Sequence, residues 1–190
     1  MLSPLLHADM ALRGWLAAPH LTALDPVMVG LSAAGRGGAV WLVIGALLVL
    51  TRRLRLAAFW QVVLAIVLAL ALNDAVIKPL AARPRPFVAA PAQVQVVGTP
   101  ASGYSFPSGH SSTAVAGAYM LTAYDPPLRA VLWLLAALIM YSRIYVGAHY
   151  PFDVFGGALL GLLVAWVVIG GRDGVRLARR RVGRQPSRML

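Results

Sequence analysis

The chain has 190 residues, of which 59% are hydrophobic and only 12% are charged, and its mean hydropathy is +0.75. Soluble domains are about half apolar and about a quarter charged, so this composition excludes an ordinary soluble protein and predicts a polytopic membrane protein. The net charge is +11. Because the chain also contains long apolar runs, this positive charge indicates a cytoplasmic membrane face rather than nucleic-acid binding. Cysteine is absent, which excludes disulfides, thiolate metal sites and cysteine-based hydrolases.

The apolar segments predict an all-α membrane bundle of five to six helices. The first 20 residues are short and polar for a span, so Leu5–Ala18 is interpreted as an amphipathic helix on the membrane surface, with Trp15 at the headgroup level. The next run is interrupted at residues 35–38 by Gly-Arg-Gly-Gly. The five predicted spans are Leu24–Leu50, Leu56–Ile77, Ser108–Tyr124, Leu128–Tyr145 and Pro151–Gly170.

A chain of this length forms one compact membrane domain. We expect three parts: an N-terminal interfacial or short helix over residues 1–22, a membrane core over 23–171, and a basic cytoplasmic tail over 172–190. The start of the chain lacks the basic, apolar and small-residue order of a removable signal peptide, so none is expected.

The arginines predict the orientation. Eleven of the 17 cations lie in the 51–55 loop, the 124–129 loop and the tail, which fall on one side of five spans. The positive-inside rule makes that side cytoplasmic, so the 78–107 and 143–150 loops face outward. Four cations still lie in or beside these outward loops, where topology disfavours them: Lys78, Arg83, Arg85 and Arg143. The presence of these four cations on the outward side therefore requires an explanation other than membrane topology.

The first candidate group is Lys78 and Arg85, joined by a proline-rich connection. Two cations on a stiff connection lose little entropy when they enclose one anion, and arginine can bind phosphate through two parallel hydrogen bonds. Asp74 lies one helical turn before Lys78 and could orient its ammonium group. The alternative is that both cations only extend to the interface from the end of a span.

The second group is the segment F-P-S-G-H over residues 106–110. Ser108 is a good N-cap for the third span, and its hydroxyl, the Gly109 amide and the helix dipole together favour an anion. His110 lies in the first turn, where a neighbouring phosphate would favour its protonated form and suit it to act as a general acid. A surface or capping histidine is the alternative.

The third group lies between the last two spans, where Ser142-Arg143 is followed by His149 and Asp153. A carboxylate bonded to one imidazole nitrogen leaves the lone pair of the other free to attack, so His149 is the candidate nucleophile and Asp153 the group that orients it. Arg143 adds a third cation. The alternative is an interfacial Arg and Tyr belt, with Asp153 complementing the dipole of the last helix.

Taken together, the three groups resemble the type-2 phosphatidic acid phosphatase family of membrane lipid phosphatases. The family pattern K-x6-R-P, P-S-G-H and S-R-x5-H-x3-D stands complete here, and the resemblance covers roughly residues 24–170. It implies a phosphatase without metal or other cofactor that forms a phosphohistidine on His149, with Asp153 orienting it and His110 protonating the leaving oxygen. The implied phosphate-binding residues are Lys78, Arg85, Ser108, Gly109 and Arg143.

Within this family the short chain and small outward loop are similar to bacterial undecaprenyl-diphosphate phosphatases. The resemblance therefore implies conversion of undecaprenyl diphosphate to undecaprenyl phosphate at the outer face of a bacterial plasma membrane. A lipid phosphate is expected as substrate, nucleic acid is not expected as a partner, and the oligomeric state stays open. Phosphatidylglycerophosphate, phosphatidic acid and prenyl-linked sugar phosphates stay open as substrates. The first helix of the family's six-helix core is either shortened to Leu5–Ala18 or absent.

Three other classes are compatible with parts of the pattern. A zinc hydrolase could use His110, His149 and Asp153 as ligands, although the cations nearby would repel a divalent ion. A serine protease could use Ser108, but it would leave Lys78 and Arg85 without a role. A non-catalytic transporter of anionic lipid would need the cations and no nucleophile.

Overall fold

The structure is a computed structural model that describes residues 4–18 and 20–182, with side chains described as far as residue 171. All regular elements within these residues are helical, as predicted. In chain order the α-helices are α1 (Pro4–Ala17), α2 (Asp25–Gly35), α3 (Ala39–Leu50), α4 (Leu56–Ala71), α5 (Lys78–Ala81), α6 (Pro86–Ala89), α7 (Gly109–Tyr124), α8 (Arg129–Tyr145) and α9 (Pro151–Val182).

Four described segments are long and apolar enough to cross a membrane: Thr22–Leu50, Leu56–Ala89, Pro126–Tyr145 and Pro151–Gly171. They correspond to four of the five predicted spans. The remaining one, α7, has 16 residues and is therefore about 24 Å long, less than the ~30 Å hydrocarbon core. Because α7 packs against α4, α8 and α9, its ends need not reach both membrane surfaces.

The break in the first span is where the sequence predicts it. A 3₁₀ turn, Arg36–Gly38, separates α2 from α3, and Gly37 and Gly38 adopt positive φ angles of 59° and 77°. A Cβ on Gly38 would lie 2.8 Å from Cγ2 of Ile66, so the position also requires close approach. The break leaves Arg36 at a bend inside an apolar segment.

The predicted end of the second span at Lys78 is wrong, because the helix continues to Ala81. Residues Leu72–Ile77 form a π-helical stretch, and α5 follows directly. Pro79 follows this π-helical stretch, whose wider hydrogen-bond pattern accommodates a residue without an N–H inside the helix. Lys78 therefore stands on a continuous helix rather than at a frayed end.

Close packing of α9 on α7 fixes the end of the bundle where the motifs meet. Gly157 and Gly161 form a small-x3-small pair, and a Cβ on either would lie 2.3 or 2.2 Å from the carbonyl oxygens of Ser108 and Ser112. The amide of Ser108 also donates to the Asp153 carbonyl at 2.9 Å. The beginnings of α7 and α9 are thereby held together.

The predicted N-terminal helix is present as α1, and it packs against α8 and α9. Its charged residues Asp9 and Arg13 are buried, whereas Leu5 and Trp15 are 72% and 74% exposed. The polar face thus contacts protein and the apolar face points outward. Its position on the membrane surface stays a prediction, and so do the limits of the three predicted parts.

At the other end of the chain, α9 extends to Val182, past the predicted start of the tail at residue 172. The predicted tail, residues 172–190, lies entirely outside the residues whose side chains are described.

Candidate active site

A cavity of about 610 Å³ opens where α7 begins and α8 ends. Its wall also includes residues of α2, α4 and the loop before α7. Six of the eight predicted site residues line it: Lys78, Arg85, Gly109, His110, Arg143 and His149. The other two, Ser108 and Asp153, are fully buried behind the wall.

His149 presents one ring nitrogen to a guanidinium group. Its Nε2 lies 3.3 Å from Nη1 of Arg85. Because a guanidinium can only donate, Nε2 must be the acceptor, and the proton of the neutral ring then lies on Nδ1. In this tautomer the lone pair of Nε2 points toward Arg85, and arginine is a residue that commonly binds phosphate.

The other ring nitrogen faces Asp153. The separation between Nδ1 of His149 and Oδ2 of Asp153 is 3.5 Å, longer than an ideal hydrogen bond. Oδ2 also accepts from the Tyr150 amide at 2.9 Å and from the hydroxyl of Ser105, while Oδ1 accepts from Arg83 at 2.6 Å. Asp153 is therefore held rigidly beside the imidazole, in a position to orient it.

Burial lowers the pKa of His149 to about 4, and the positive charges of Arg85 and Arg143 act in the same direction. The adjacent carboxylate of Asp153 opposes them. The imidazole is therefore neutral at pH 7 and has a free lone pair, which nucleophilic attack requires.

The turn that presents His149 depends on glycine. Gly147 has a φ of +78°, and a Cβ there would lie 2.5 Å from the Gln95 carbonyl oxygen. The amides of Ala148 and His149 then donate to the carbonyl of Arg143 at 3.1 and 3.2 Å. The end of α8 is closed in this way with His149 on the cavity wall.

Arg85 is held by backbone carbonyl groups. It is 4% exposed and donates to the carbonyls of Ser102, Gly103 and Ala148 at 2.7, 3.0 and 2.9 Å. Fixing the guanidinium in advance reduces the entropy lost when it binds an anion.

The other two predicted cations are partnered through side chains. Arg143, 7% exposed, donates to the hydroxyl of Ser32 on α2. The ammonium of Lys78 lies 2.7 Å from Oδ1 of Asp74, which is the i,i+4 pair that the sequence predicts. A net positive charge is therefore held around one cavity.

The start of α7 has the predicted N-cap. Ser108 is the cap, and its hydroxyl accepts from the Ser111 amide at 3.4 Å, which leaves Gly109 and His110 on the cavity wall. Nε2 of His110 lies 3.0 Å from the Ser32 carbonyl and donates to it. The acid role of His110 thus requires a proton on Nδ1 or release from Ser32, and direct phosphate contact by the Ser108 hydroxyl stays a prediction.

Several residues of this region were not assigned a role from the sequence. Arg36 and Ser32 lie on the cavity wall, and Asp9, Arg83 and Ser105 form the contacts behind it. A signal did exist for Arg36, because a charged residue inside an apolar run favours a functional role. The contacts of Asp9 and Ser105 join residues far apart in the chain and follow no local pattern.

The zinc alternative lacks a ligand set. Among the residues that the structure describes, no group of three or more His, Asp or Glu side chains is placed to hold a metal ion. Asp153 is committed to Arg83, Ser105 and the Tyr150 amide. We therefore derive no step through a metal.

A multi-pass helical bundle with a cationic cavity, a buried neutral histidine and a helix N-terminus defines a membrane protein built for an anionic phosphoryl group. The family model of the PAP2 superfamily matches residues 58–174, so the chain belongs to this superfamily and is a membrane lipid phosphatase.

Curated proteins with similar sequences are also phosphatases. The chain is 35% identical over 151 residues to an undecaprenyl-diphosphatase of Sulfolobus acidocaldarius, covering 79% of this chain and 71% of that protein. It is 42% identical over 106 residues to a decaprenylphosphoryl-5-phosphoribose phosphatase of Mycobacterium tuberculosis, covering 55% and 56%. It is also similar to phosphatidylglycerophosphatase B of Bacillus subtilis, at 35% identity over 91 residues, 42% of this chain and 45% of that one.

Two solved structures share the fold. A PAP2-type phosphatidylglycerolphosphate phosphatase of Bacillus subtilis superposes with a TM-score of 0.73 at 26% identity, covering 92% of this chain and 89% of that chain. LpxE of Aquifex aeolicus superposes with a TM-score of 0.72 at 30% identity, covering 84% and 93%. The overall helical arrangement is therefore shared with these two solved proteins.

Proposed function

We propose that the protein hydrolyses the terminal phosphate of a prenyl diphosphate, most specifically undecaprenyl diphosphate, through a phosphohistidine on His149. The observation that carries the proposal is the buried, neutral His149, whose Nε2 lies 3.3 Å from Arg85 on the wall of the cationic cavity. A phosphate that binds Arg85 is thereby brought to the lone pair that would attack it.

In the proposed reaction, Nε2 of His149 forms a bond to the terminal phosphorus as the bond to the bridging oxygen breaks. His110 gives a proton to the departing lipid phosphate. Water then attacks the phosphohistidine, His110 takes a proton from that water, and inorganic phosphate leaves with the imidazole restored. Asp153 stabilises the positive charge that the ring acquires in between.

The charge of the cavity wall supports a diphosphate. Four cations (Arg36, Lys78, Arg85, Arg143) and one carboxylate (Asp74) give four minus one, a net charge of +3 before either histidine takes up a proton. A phosphate monoester carries about −1.5 to −2 at pH 7, and a second phosphate adds about one more negative charge. The undecaprenyl-diphosphatase among the relatives is consistent with this assignment.

Arg36 distinguishes the diphosphate from the monophosphate alternative. Among the described residues its guanidinium group makes no hydrogen bond or ion pair, unlike the side chains of the other three cations on the wall. We therefore assign it to the phosphate that is retained by the lipid. Phosphatidylglycerophosphate and prenyl-linked sugar phosphates are alternative substrates supported by other relatives, and phosphatidic acid is a third alternative.

We place the enzyme in a bacterial plasma membrane, with the cavity facing outward and the C-terminus in the cytoplasm. The support is the excess of arginine in the 51–55 loop, the 124–129 loop and the tail. A non-catalytic lipid transporter would use the same cations, and it differs only in releasing no phosphate.

The test measures phosphate release by the purified protein from four substrates: undecaprenyl diphosphate, farnesyl diphosphate, phosphatidylglycerophosphate and phosphatidic acid. The variant His149→Ala is assayed on the same four substrates. We expect the two prenyl diphosphates to have the highest kcat/KM and the variant to be inactive. Hydrolysis of a glycerolipid at a higher kcat/KM than either diphosphate would support the alternative substrate. Full activity in His149→Ala would contradict the mechanism.

A further inference from the structure

A chain of ion pairs runs from α1 to the carboxylate beside His149. Nη1 of Arg83 lies 2.6 Å from Oδ1 of Asp153, and its Nη2 lies 2.6 Å from Oδ2 of Asp9. Both carboxylate side chains are fully buried, and the guanidinium also lies 4.0 Å from the ring centroid of Tyr150. One arginine thus bridges two buried acids on different helices.

Asp9 is tied to α9 a second time. Its Oδ1 accepts from the amide of Phe152 at 3.0 Å, one residue before Asp153. Burial raises the pKa of Asp9, and the hydrogen bond from Arg83 opposes this. Buried carboxylates stay ionised only when they are paired, so Asp9 and Asp153 compete for the single positive charge of Arg83.

The remaining charged and titratable groups that face Asp153 come from three directions. Arg85 precedes α6, His149 and Tyr150 lie in the turn before α9, and Arg13 lies on α1 near Tyr150. Arg83, Asp9 and Asp153 together carry one positive and two negative charges, a net of −1. This residual charge favours a positive charge on His149, as a phosphorylated imidazole has.

We infer that Arg83 and Asp9 are positioning residues of the active site, which hold Asp153 ionised and aligned with His149. Helix α1, which carries Asp9, therefore contributes to catalysis. The inference rests on the proposed role of His149. It adds Asp9, which lies outside the three motifs, and Arg83, which occupies an unspecified position within the first, and it gives the N-terminal helix a function.

Removing the cation and removing the second acid have different consequences. In Arg83→Gln two buried carboxylates lose their shared partner, so one of them takes up a proton, and a protonated Asp153 no longer accepts from His149. The acid limb of the pH–kcat profile then moves up by about one unit or more. In Asp9→Asn the pair of Arg83 and Asp153 stays ionised, and kcat falls about threefold to tenfold, with KM unchanged, because the net −1 is lost.

The double variant Asp9→Asn/Arg83→Gln gives a result that a purely structural role would not produce. Only one buried carboxylate then remains, so the acid limb moves back toward that of the native protein. Arg83→Lys keeps the charge and should keep the native acid limb at a reduced kcat. The matched control is Arg53→Gln, which breaks the ion pair with the buried Asp125 at 2.9 Å at the opposite end of α7.

The experiment measures kcat and KM for farnesyl diphosphate from pH 4 to 9 for the native protein, these variants and His149→Ala, each checked for folding by thermal unfolding in detergent. The expected result is a raised acid limb in Arg83→Gln, its reversal in the double variant and a native profile in Arg53→Gln. A native profile in Arg83→Gln beside an inactive His149→Ala overturns this inference alone.

Two further outcomes are decisive. An active His149→Ala overturns the proposed function, whatever Arg83 does. If Arg83→Gln does not fold, Asp9→Asn decides, and an unchanged kcat in that variant overturns the inference.

Discussion

A nucleophilic histidine must be neutral when its substrate arrives. At His149, burial lowers the pKa to about 4, below the ordinary 6.5. Protonation removes the lone pair only as the pH falls toward 4, so His149 stays competent across the interval in which an ordinary histidine becomes charged.

We therefore expect kcat/KM to show no loss attributable to the enzyme between pH 6.5 and 5, and an acid limb below pH 5. The measurement is kcat/KM against pH for farnesyl diphosphate, corrected for the ionisation of the substrate determined separately by phosphorus NMR. An acid limb centred near pH 6.5, where activity falls as the enzyme takes up a proton, would show that the nucleophile is not this buried histidine.

His110 is predicted to matter in proportion to how much the leaving group needs a proton. His110→Asn should reduce kcat about 10²–10⁴-fold for an alkyl phosphate such as phosphatidic acid, the range typical of general acid catalysis. The loss should be less than tenfold for p-nitrophenyl phosphate, whose leaving group departs without protonation. Equal losses on both substrates would exclude the acid role.

Arg36 gives a prediction about specificity. Arg36→Gln should lower kcat/KM for farnesyl diphosphate about tenfold or more, since a charge-assisted hydrogen bond contributes about 1.5–3 kcal/mol. Farnesyl monophosphate should be affected less than threefold, because it has no second phosphate to lose. Arg52→Gln, in the basic loop before α4, is the control for a loss of one positive charge. Equal effects of Arg36→Gln on both substrates would contradict the assignment.

Motif residues could be predicted from the sequence because their spacing places them at helix ends on one side of the membrane. The cavity indeed brings together six of the eight. The bridge of Asp9, Arg83 and Asp153 could not be predicted from the sequence. Arg83 is 74 positions from Asp9 and 70 positions from Asp153, so the three residues follow no periodicity. The sequence marks Arg83 as an outward cation, and only its position between two buried acids supports the positioning role that we infer.

At the scale of elements, the packing of α9 on α7 is the contact on which the site geometry depends. Gly157→Ala would place a Cβ 2.3 Å from the Ser108 carbonyl oxygen, and backbone atoms cannot move aside cheaply. We expect a loss of about 1–3 kcal/mol in the free energy of unfolding, the usual cost of overpacking, together with loss of activity.

Gly170→Ala is the matched control, because it lies on the same helix and a Cβ there meets no atom within 4 Å. Thermal unfolding in detergent and phosphate release would be measured for both variants. Equal stability of the two would show that this contact does not hold the helices together.

Helix existence was predictable because long apolar runs have few alternatives in a membrane. The boundaries of most spans agree within a few residues. The exception is the second span, which is predicted to end at Ile77 and continues as helix to Ala81. The π-helical stretch Leu72–Ile77 changes the local hydrogen bonding and lets the helix continue past Pro79. The composition of that stretch does not predict a π-helix.

At the scale of the whole molecule, the distribution of arginine predicts which side each loop faces. The chain contains no cysteine, so single cysteines can report on this without background. We expect Gln93→Cys, in the exposed loop before α7, to react with a membrane-impermeant maleimide added to intact cells. Thr51→Cys, exposed between α3 and α4, should react only after the membrane is opened. The reverse pattern would invert the topology and place the cavity in the cytoplasm.

The central claim is a covalent phosphate on His149, and it is tested most directly by rapid-quench trapping with farnesyl diphosphate labelled in its terminal phosphate. We predict an alkali-stable, acid-labile label, approaching one per protein, that maps to the peptide containing His149 and is absent from His149→Ala. Turnover without a trapped label at any time, or a label that persists in His149→Ala, would contradict the account.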